Sequence, residues 1–314
     1  MAASFVASAI DRCPTERERI ARDVTMARDL SPFQVIGSDR PAGPILISVP
    51  HAGREYPLEL AGMARHPLEA LVGLEDRFAD LLIDDAVAGG ASAVVARCAR
   101  AWIDLNRDPR EIDPGMITFS LDPGRGILST KVRGGLGLVP RRLPALGELW
   151  NRRLTGPEIQ ARLDGAHAPY HRTVGLLLAA MQRDHGQAML IDCHSMPPLP
   201  RDAGGRAIDI VVGDRFGRSA NDDIVDCALM TAAAHGFRSV RNAPYAGGYT
   251  LDRHGNRRAG VHAIQLEFAR ALYLDEGGQP VLVGLDRCRS LLADIAGRLS
   301  ALLSRQTGFP VAAE

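Results

Sequence analysis

The sequence predicts a single α/β domain with a mixed, mostly parallel central sheet flanked by helices. Short apolar segments rich in β-branched residues alternate with longer segments of helical periodicity, a pattern typical of a sheet covered on both faces. Hydrophobic residues make up 46% and charged residues 24% of the 314 residues, which are ordinary values for a globular chain. Because no internal repeat or linker divides the chain, one domain is favoured over two.

Five apolar segments are bounded by turn residues and are predicted to be buried strands: residues 44–50, 93–98, 188–193, 208–212 and 262–268. Four segments with helical spacing are predicted to be helices: residues 75–87, 158–184, 220–234 and 281–303. Pro169 is expected to kink or divide the second of these helices, because proline removes a backbone hydrogen bond inside a helix.

Residues 112–144 are rich in glycine and are predicted to form a long loop, which in a compact domain is usually functional or mobile. Residues 1–40 are mixed in charge and weakly periodic, so we expect a peripheral arm or a short helix there. The predicted domain then spans residues 41–306, and residues 307–314 form a tail.

The charge balance and the cysteines restrict the possible partners. The 37 Lys and Arg residues equal the 37 Asp and Glu residues, so there is no cationic surplus for binding nucleic acid. The five cysteines include no close pair, which argues against a disulfide framework or a thiolate zinc cluster. The N-terminal segment reaches charged residues early and no later segment is apolar for long enough to cross a bilayer. We therefore expect a cytoplasmic protein without a membrane or nucleic-acid partner.

Chemically capable side chains follow the predicted strands, where open α/β sheets bind their ligands. They are His51, Asp104, Asn106, Arg107, Asp192, His194, Ser195 and Glu267. The two strand-end histidines could supply two of the three protein ligands of a catalytic zinc ion. Six further histidines lack such a setting and are interpreted as surface or packing residues: those at positions 66, 167, 171, 185, 235 and 254.

The acidic pair Glu75 and Asp76 is a candidate for the third ligand, because it lies close in sequence to His51. The alternative is that both carboxylates complement the dipole at the start of the following helix, and the two residues taken alone favour that alternative.

Asp192 shares a strand face with His194, because residues two apart on a strand point the same way. Asp192 is therefore expected either to orient the imidazole or to lie beside the metal. Cys193 faces the other side and is interpreted as a packing residue. Ser195 lacks the sequence surroundings of a serine hydrolase nucleophile, so that class is rejected.

Glu267 lies in an otherwise apolar strand, where an unpaired carboxylate is costly, so it requires a partner such as a metal-bound water. An ion pair with Arg270 is an equally good explanation on spacing alone. Arg107, beside Asn106, suits recognition of a carboxylate, although a surface turn with local ion pairs is the alternative. The glycine-rich segment around Tyr249 is either a loop that closes over a ligand or a hairpin.

Six segments together resemble the N-formylglutamate amidohydrolase family. They are Ser48-Val-Pro-His-Ala-Gly53, Glu75-Asp-Arg-Phe-Ala-Asp80, Asp104-Leu-Asn-Arg107, Asp192-Cys-His-Ser195, Gly247-Gly-Tyr-Thr250 and Gln265-Leu-Glu-Phe-Ala-Arg-Ala-Leu-Tyr273. They occur in the family's order and cover about residues 44–275. The family resembles the zinc carboxypeptidase and aspartoacylase group, which implies a three-layer α/β fold with one zinc ion.

The resemblance also implies roles for individual residues. The broader group has a zinc-binding glutamate three residues after the first histidine, a position that Arg54 occupies here. By similarity to the amidohydrolase family, the expected zinc ligands are His51, Asp76 and His194, with Glu75 in reserve, and Asp192 is expected to support them. Glu267 corresponds to the catalytic glutamate. The expected substrate-binding residues are Asn106 and Arg107, joined by Tyr249 from the glycine-rich segment.

The activity implied by the resemblance is hydrolysis of an N-formyl or other N-acyl amino acid, with N-formyl-L-glutamate as the expected substrate. Two alternatives stay open. One is a metallopeptidase of the carboxypeptidase-like class, and the other is a relative that binds amino acids without catalysis.

Overall fold

A computed structural model describes residues 25–27, 31–37, 41–121, 126–201 and 205–307. Eleven strands lie in this part of the chain. They are β1 (Thr25–Ala27), β2 (Phe33–Ile36), β3 (Ile45–Val49), β4 (Glu55–Pro57), β5 (Ser92–Ala96), β6 (Arg142–Leu143), β7 (Gly147–Glu148), β8 (Ala188–Met196), β9 (Ile210–Gly213), β10 (Ser239–Arg241) and β11 (Val261–Ala269).

The same residues include eight α-helices: α1 (Leu58–Met63), α2 (Asp84–Ala88), α3 (Thr130–Arg133), α4 (Gly156–Arg162), α5 (Ala168–His185), α6 (Asp222–Ala234), α7 (Tyr249–His254) and α8 (Leu282–Thr307). Local sequence explains several of their ends. A capping box between Thr155 and Glu158 starts α4, and Gly186 ends α5 in the left-handed conformation, with φ 79°. No helix of the described residues has the length and apolar character needed to span a bilayer.

A mixed sheet of seven strands forms the centre of the fold, in the order β10-β9-β11-β8-β3-β5-β2. The inner strands β11, β8, β3 and β5 are mutually parallel. At one edge β2 pairs antiparallel with β5. On the other side β9 pairs antiparallel with β11, and the edge strand β10 pairs parallel with β9. Strands β3, β5, β8 and β11 are buried throughout, which explains the mostly apolar sequences of β3 and β5 and of the first four residues of β8.

Two apolar clusters cover the faces of this sheet. One face packs against helices α2, α6 and α8, with Ile47, Ile191 and Ile264 among the strand residues that it buries. The other face packs against α5, with Leu46 and Leu190 among its buried strand residues. The protein is therefore an α/β domain with a mostly parallel mixed sheet between helices, which confirms the predicted fold class.

The five predicted strands are confirmed as β3, β5, β8, β9 and β11. Three predicted helices are also confirmed: residues 158–184 form α4 and α5, residues 220–234 contain α6, and residues 281–303 correspond to α8. One turn of π-helix at Leu163–His167 joins α4 to α5, and Pro169 is the second residue of α5, so the predicted helix is divided just before the proline. Strands are present inside the segment expected to be an arm. Phe33–Ile36 is the edge strand β2 of the main sheet, so the arm prediction is wrong there.

The helix predicted over residues 75–87 is also wrong. Helix α2 begins only at Asp84, and a short 3₁₀ turn at Ala79–Leu81 precedes it. Phe78 adopts the left-handed conformation, with φ 58°, which an α-helix cannot accommodate. The backbone amide of Asp76 also donates a hydrogen bond to the carbonyl of His51 at 2.9 Å, and this contact directs the segment toward the end of β3.

The described residues of the long segment 112–144 form a 3₁₀ turn at Pro114–Met116, helix α3 and the two-residue strand β6, and are otherwise irregular. Residues 122–125 of this segment lie outside the described part of the chain, as do 1–24, 28–30, 38–40 and 308–314 from the predicted arm and tail. The boundaries at residues 41 and 306 stay a prediction.

Gly53 provides a test of the close packing beyond the end of β3. A Cβ at this position would lie 2.0 Å from the carbonyl oxygen of Cys98, which is backbone and cannot move aside freely. We expect Gly53→Ala to lower the free energy of unfolding by roughly 2–3 kcal/mol, measured by denaturant titration. Gly62→Ala is the matched control, because this glycine lies in α1 and a Cβ there would meet no atom within 4 Å. It should stabilise by about 0.5–1 kcal/mol, and equal effects of the two substitutions would contradict this description.

Candidate active site

Strand register brings polar side chains together at the carboxyl ends of β3, β8 and β11. Asp192 of β8 is opposite Ser48 of β3 on one side and Gln265 of β11 on the other. Two residues further along, His194 is opposite Glu267. These residues lie on the face of the sheet that packs against α5. Alternation along each strand therefore explains why polar residues two apart converge on one site.

His51 follows β3 and is held by a buried carboxylate. Its Nε2 donates to Oδ1 of Asp104 at 2.7 Å, so the neutral ring keeps its lone pair on Nδ1. This Nδ1 lies 3.3 Å from Oδ2 of Asp76 and is buried without a hydrogen-bond partner. Buried polar atoms nearly always have a partner, so an unpaired imidazole nitrogen here indicates a place for a cation.

His194 has the same arrangement. Its Nε2 donates to Oδ2 of Asp192 at 2.9 Å, and its Nδ1 lies 2.8 Å from Oδ2 of Asp76. Burial lowers the pKa of His194, but the adjacent Asp192 and Asp76 carboxylates outweigh it and hold the pKa well above the usual value. Asp192 thus contacts the imidazole, and its predicted role in orienting the ring stays a prediction.

Asp76 lies between the two imidazoles. Its Oδ2 faces them, while Oδ1 accepts hydrogen bonds from Ser195 Oγ at 3.2 Å and from Arg270 Nη2 at 3.3 Å. Glu75 points elsewhere: its carboxylate accepts from the Tyr56 hydroxyl at 2.5 Å and from Arg77 at 3.3 Å. Of the two acidic candidates, the structure therefore brings Asp76 to the histidines.

The side chains of His51, Asp76 and His194 form a group that fits a metal ion. One donor atom from each lies within 4.8 Å of the others, and all three residues are buried. Donor atoms of a tetrahedral zinc site are roughly 3.3 Å apart when the bonds are about 2.0–2.1 Å. The distances of 3.3 Å and 2.8 Å from Asp76 Oδ2 to the two Nδ1 atoms are close to that value. Arg54, at the position of the broader group's glutamate, pairs with Asp80 instead.

Glu267 lies beside this group and lines the same cavity. Its Oε1 accepts a hydrogen bond from Gln265 Nε2 at 2.7 Å. Burial, reinforced by the nearby Asp76 charge against the opposing effect of His194, raises the pKa of Glu267 to about 7. The alternative ion pair with Arg270 is not formed, because Arg270 contacts Ser195, the carbonyl of Glu75 and Asp76.

Arg107 lines the cavity and is fixed by its backbone contacts. Its Nε donates to the carbonyl of Leu136 and its Nη1 to the carbonyl of Asn106, both at 2.9 Å. The predicted substrate contact of Arg107 stays a prediction, and the guanidinium is placed where such a contact can form.

Asn106 links several parts of the site. Its Nδ2 donates to Asp192 Oδ2 at 3.2 Å and lies 3.0 Å from Nε2 of His194, while its Oδ1 accepts from the amide of Thr250 at 2.9 Å. Gly248 must be a glycine for this contact, because a Cβ would lie 2.5 Å from Asn106 Oδ1. The amide is thus engaged by the protein, and its predicted contact with substrate stays a prediction.

Tyr249 is not among the residues that line the cavity next to His51, Asp76 and His194. It packs against the rings of His167 and His171 and borders a neighbouring groove. Tyr245, from the same glycine-rich segment, lines the cavity instead. The predicted role of Tyr249 in substrate binding stays a prediction.

Three histidines interpreted as surface or packing residues support the segment that carries Arg107. His167 Nε2 donates to the carbonyl of Arg107 at 2.8 Å, and His171 Nε2 donates to that of Leu105 at 2.7 Å. His171 Nδ1 is then an acceptor and lies 3.0 Å from Nε2 of His254. No sequence pattern indicates these contacts, because they join α5 and α7 to a loop far away in the chain.

The cavity has a volume of about 530 Å³, which suits a small-molecule ligand. Sequence reasoning missed several of its lining residues. They are Arg100, Lys131 and Arg215. These residues come from separate segments and no short motif contains them, so only the folded chain brings them together.

A sequence model of N-formylglutamate amidohydrolases matches residues 43–274. The chain belongs to the N-formylglutamate amidohydrolase family. It is 30% identical over 284 residues to the N-formylglutamate deformylase of Pseudomonas aeruginosa, covering 86% of this chain and 97% of that protein. It is 31% identical over 242 residues to the N-formylglutamate deformylase of Pseudomonas putida, covering 74% and 82% respectively.

The fold of this family member also matches a solved structure. The crystal structure of N-formylglutamate amidohydrolase from Ralstonia eutropha JMP134 superposes with a TM-score of 0.79 at 26% identity, covering 88% of this chain and 100% of that one. The predicted family and fold class are therefore both confirmed.

The histidine contacts beneath Arg107 predict a pH dependence of stability. Burial is the main cause that lowers the pKa of His171 to about 2 and of His254 to about 4. Between pH 6.5 and 4 the unfolded chain therefore binds protons that the folded chain does not, and stability falls as the pH falls.

His254→Gln removes one of these groups but keeps an amide donor for His171. The stability of this variant should fall less steeply with decreasing pH. The difference in free energy of unfolding between the variant and the unsubstituted protein should therefore change by up to about 3 kcal/mol between pH 6.5 and 4. Denaturant unfolding at several pH values measures this difference. A difference that stays constant over the range would contradict the assigned contacts.

Proposed function

We propose that the protein is a zinc-dependent amidohydrolase that cleaves N-formyl-L-glutamate into formate and L-glutamate. The observation that carries the proposal is the buried group of His51, Asp76 and His194, which lines one cavity together with Glu267. The two relatives named N-formylglutamate deformylase support the choice of substrate.

The donor set fits zinc, which binds imidazole and carboxylate and takes three protein ligands in catalytic sites. His51 and His194 would hold the ion through Nδ1, and Asp76 through Oδ2. When bound, the ion supplies Lewis acidity that polarises the formyl carbonyl and favours loss of a proton from water. Asp104 and Asp192 keep both imidazoles in the tautomer and orientation that ligation needs.

Glu267 is the residue that we assign to proton transfer. It accepts a proton from the water that attacks the formyl carbon, and then donates the proton to the amide nitrogen. The bond between that carbon and nitrogen breaks. The water oxygen leaves in formate, and L-glutamate leaves with a free amine.

Arg107 binds the α-carboxylate in this proposal. A guanidinium group matches a carboxylate through paired hydrogen bonds. Its Nε and Nη1 donate to backbone carbonyls, and among the described contacts Nη2 has no protein acceptor. The substrate is therefore anchored at one end while the formyl group reaches Glu267 and the metal-site group.

Glu267→Gln separates catalysis from metal binding. We expect kcat for formate release from N-formyl-L-glutamate to fall by about 10²–10⁴-fold, because the proton acceptor is lost. Zinc content, measured by mass spectrometry of the dialysed protein, should be unchanged. Glu276→Gln is the matched control at an exposed glutamate and should keep full activity. Full formate release by Glu267→Gln would contradict the assignment.

His194→Ala tests the metal group. This variant should lose bound zinc and nearly all hydrolysis, whereas His235→Ala, a histidine paired with Asp294 away from the cavity, should retain both. Short unformylated peptides should not be cleaved by the unsubstituted protein. A metal-free His194→Ala with normal hydrolysis would contradict the proposal, and cleavage of peptides in preference to N-formyl-L-glutamate would favour a metallopeptidase.

A further inference from the structure

The wall of the cavity carries more positive than negative side chains. Its cations are Arg100, Arg107, Lys131, Arg215 and Arg270. Three of them are held by carboxylates within 3.3 Å: Arg100 by Asp104, Arg215 by Asp252 and Arg270 by Asp76. Three of the five charges are thus compensated by the protein itself.

Arg107 is compensated only weakly. Its Nε is 3.8 Å from Oδ2 of Asp104, and that oxygen already accepts two hydrogen-bonding contacts from Arg100 at 2.9 Å and 2.8 Å. The other oxygen of Asp104 accepts from His51. One carboxylate therefore serves two guanidinium groups and an imidazole, which leaves a surplus of positive charge beside Arg107.

Lys131 adds to this surplus. It lies on α3, within the long loop of residues 112–144, at the solvent-exposed rim of the cavity. Its ammonium group lies 5.8 Å from the centre of the Tyr245 ring, which also lines the cavity. No carboxylate in the described part of the chain forms an ion pair with it.

The electrostatics of Lys131 agree with this arrangement. Partial burial, followed by the positive charges of Arg107 and Arg100, lowers the pKa of its ammonium group, and the charges of Glu267 and Asp104 only partly oppose them. An anionic group of a ligand, placed between Lys131 and Arg107, would relieve the repulsion between these two cations.

We propose that Lys131 binds the side-chain carboxylate of a substrate whose α-carboxylate is bound by Arg107, and so selects N-formyl derivatives of acidic amino acids over neutral ones. This inference rests on the proposed function. A flexible ammonium group at the rim can follow a side-chain carboxylate through several rotamers, whereas the fixed fork of Arg107 suits the α-carboxylate. The other lining arginines are less suited, because each already has a carboxylate partner.

The test compares N-formyl-L-glutamate with N-formyl-L-glutamine, which has nearly the same shape but no side-chain charge. We expect Lys131→Gln to raise KM for N-formyl-L-glutamate by about 10- to 100-fold, the effect of losing one charge-assisted hydrogen bond. Its kcat, and its KM for N-formyl-L-glutamine, should change less than about threefold. Lys131→Arg should restore most of the preference. Arg133→Gln, an exposed cation on the same helix, is the matched control and should have no effect.

Equal changes for both substrates in Lys131→Gln, or no change for either, would overturn the proposal. Calorimetric binding of L-glutamate and L-glutamine to the same variants separates this inference from the proposed function. If the unsubstituted protein hydrolyses neither substrate, the proposed function fails. The binding data then decide the role of Lys131: selective weakening of L-glutamate supports the subsite, and equal weakening or none overturns it.

Discussion

The site depends on two buried carboxylate–imidazole pairs. Asp104 and Asp192 each accept a hydrogen bond from Nε2 of a histidine, and this fixes Nδ1 of His51 and His194 toward the same oxygen of Asp76. Burying these carboxylates is costly unless they are paired. Arg100 forms an ion pair with Asp104, and the Ser48 hydroxyl and the Asn106 amide donate hydrogen bonds to Asp192, which offsets the cost of burial.

The same contacts join the metal group to the substrate side of the cavity. Asn106 connects Asp192 to the glycine-rich segment through the amide of Thr250, and Arg107 is its neighbour in sequence. His167, the residue before α5, and His171 of α5 donate hydrogen bonds to carbonyls of this segment. These hydrogen bonds therefore connect the group of His51, Asp76 and His194 to Arg107 and to helix α5.

Much of this arrangement could be predicted from the sequence. The strand-end positions of His51, His194 and Glu267 follow from apolar segments of strand length and from the geometry of parallel sheets. Alternation along β8 placed Asp192 beside its histidine. Local patterns could not place Asp76, because the segment after residue 75 has helical spacing, yet Phe78 takes a left-handed conformation and a backbone bond to His51 decides its course.

Other parts could not be predicted, because they depend on contacts between segments distant in the chain. Lys131 reaches the cavity from a loop without a recognisable motif, and the histidines of α5 and α7 meet the Arg107 segment only in the folded protein. Asn106 likewise contacts Asp192 of β8 and Thr250 of α7, which are distant from it in the chain. Periodicity and strand-end position carry information about elements, not about such long-range pairings.

The proposed chemistry depends most on His51, Asp76 and His194 together holding one divalent cation. A crystal structure of the protein grown with zinc, with anomalous data collected at the zinc edge, tests this claim most directly. We expect one peak per chain, bonded to Nδ1 of both histidines and to Oδ2 of Asp76. A peak bound through Nε2 or through Glu75, or no zinc at this group, would contradict it.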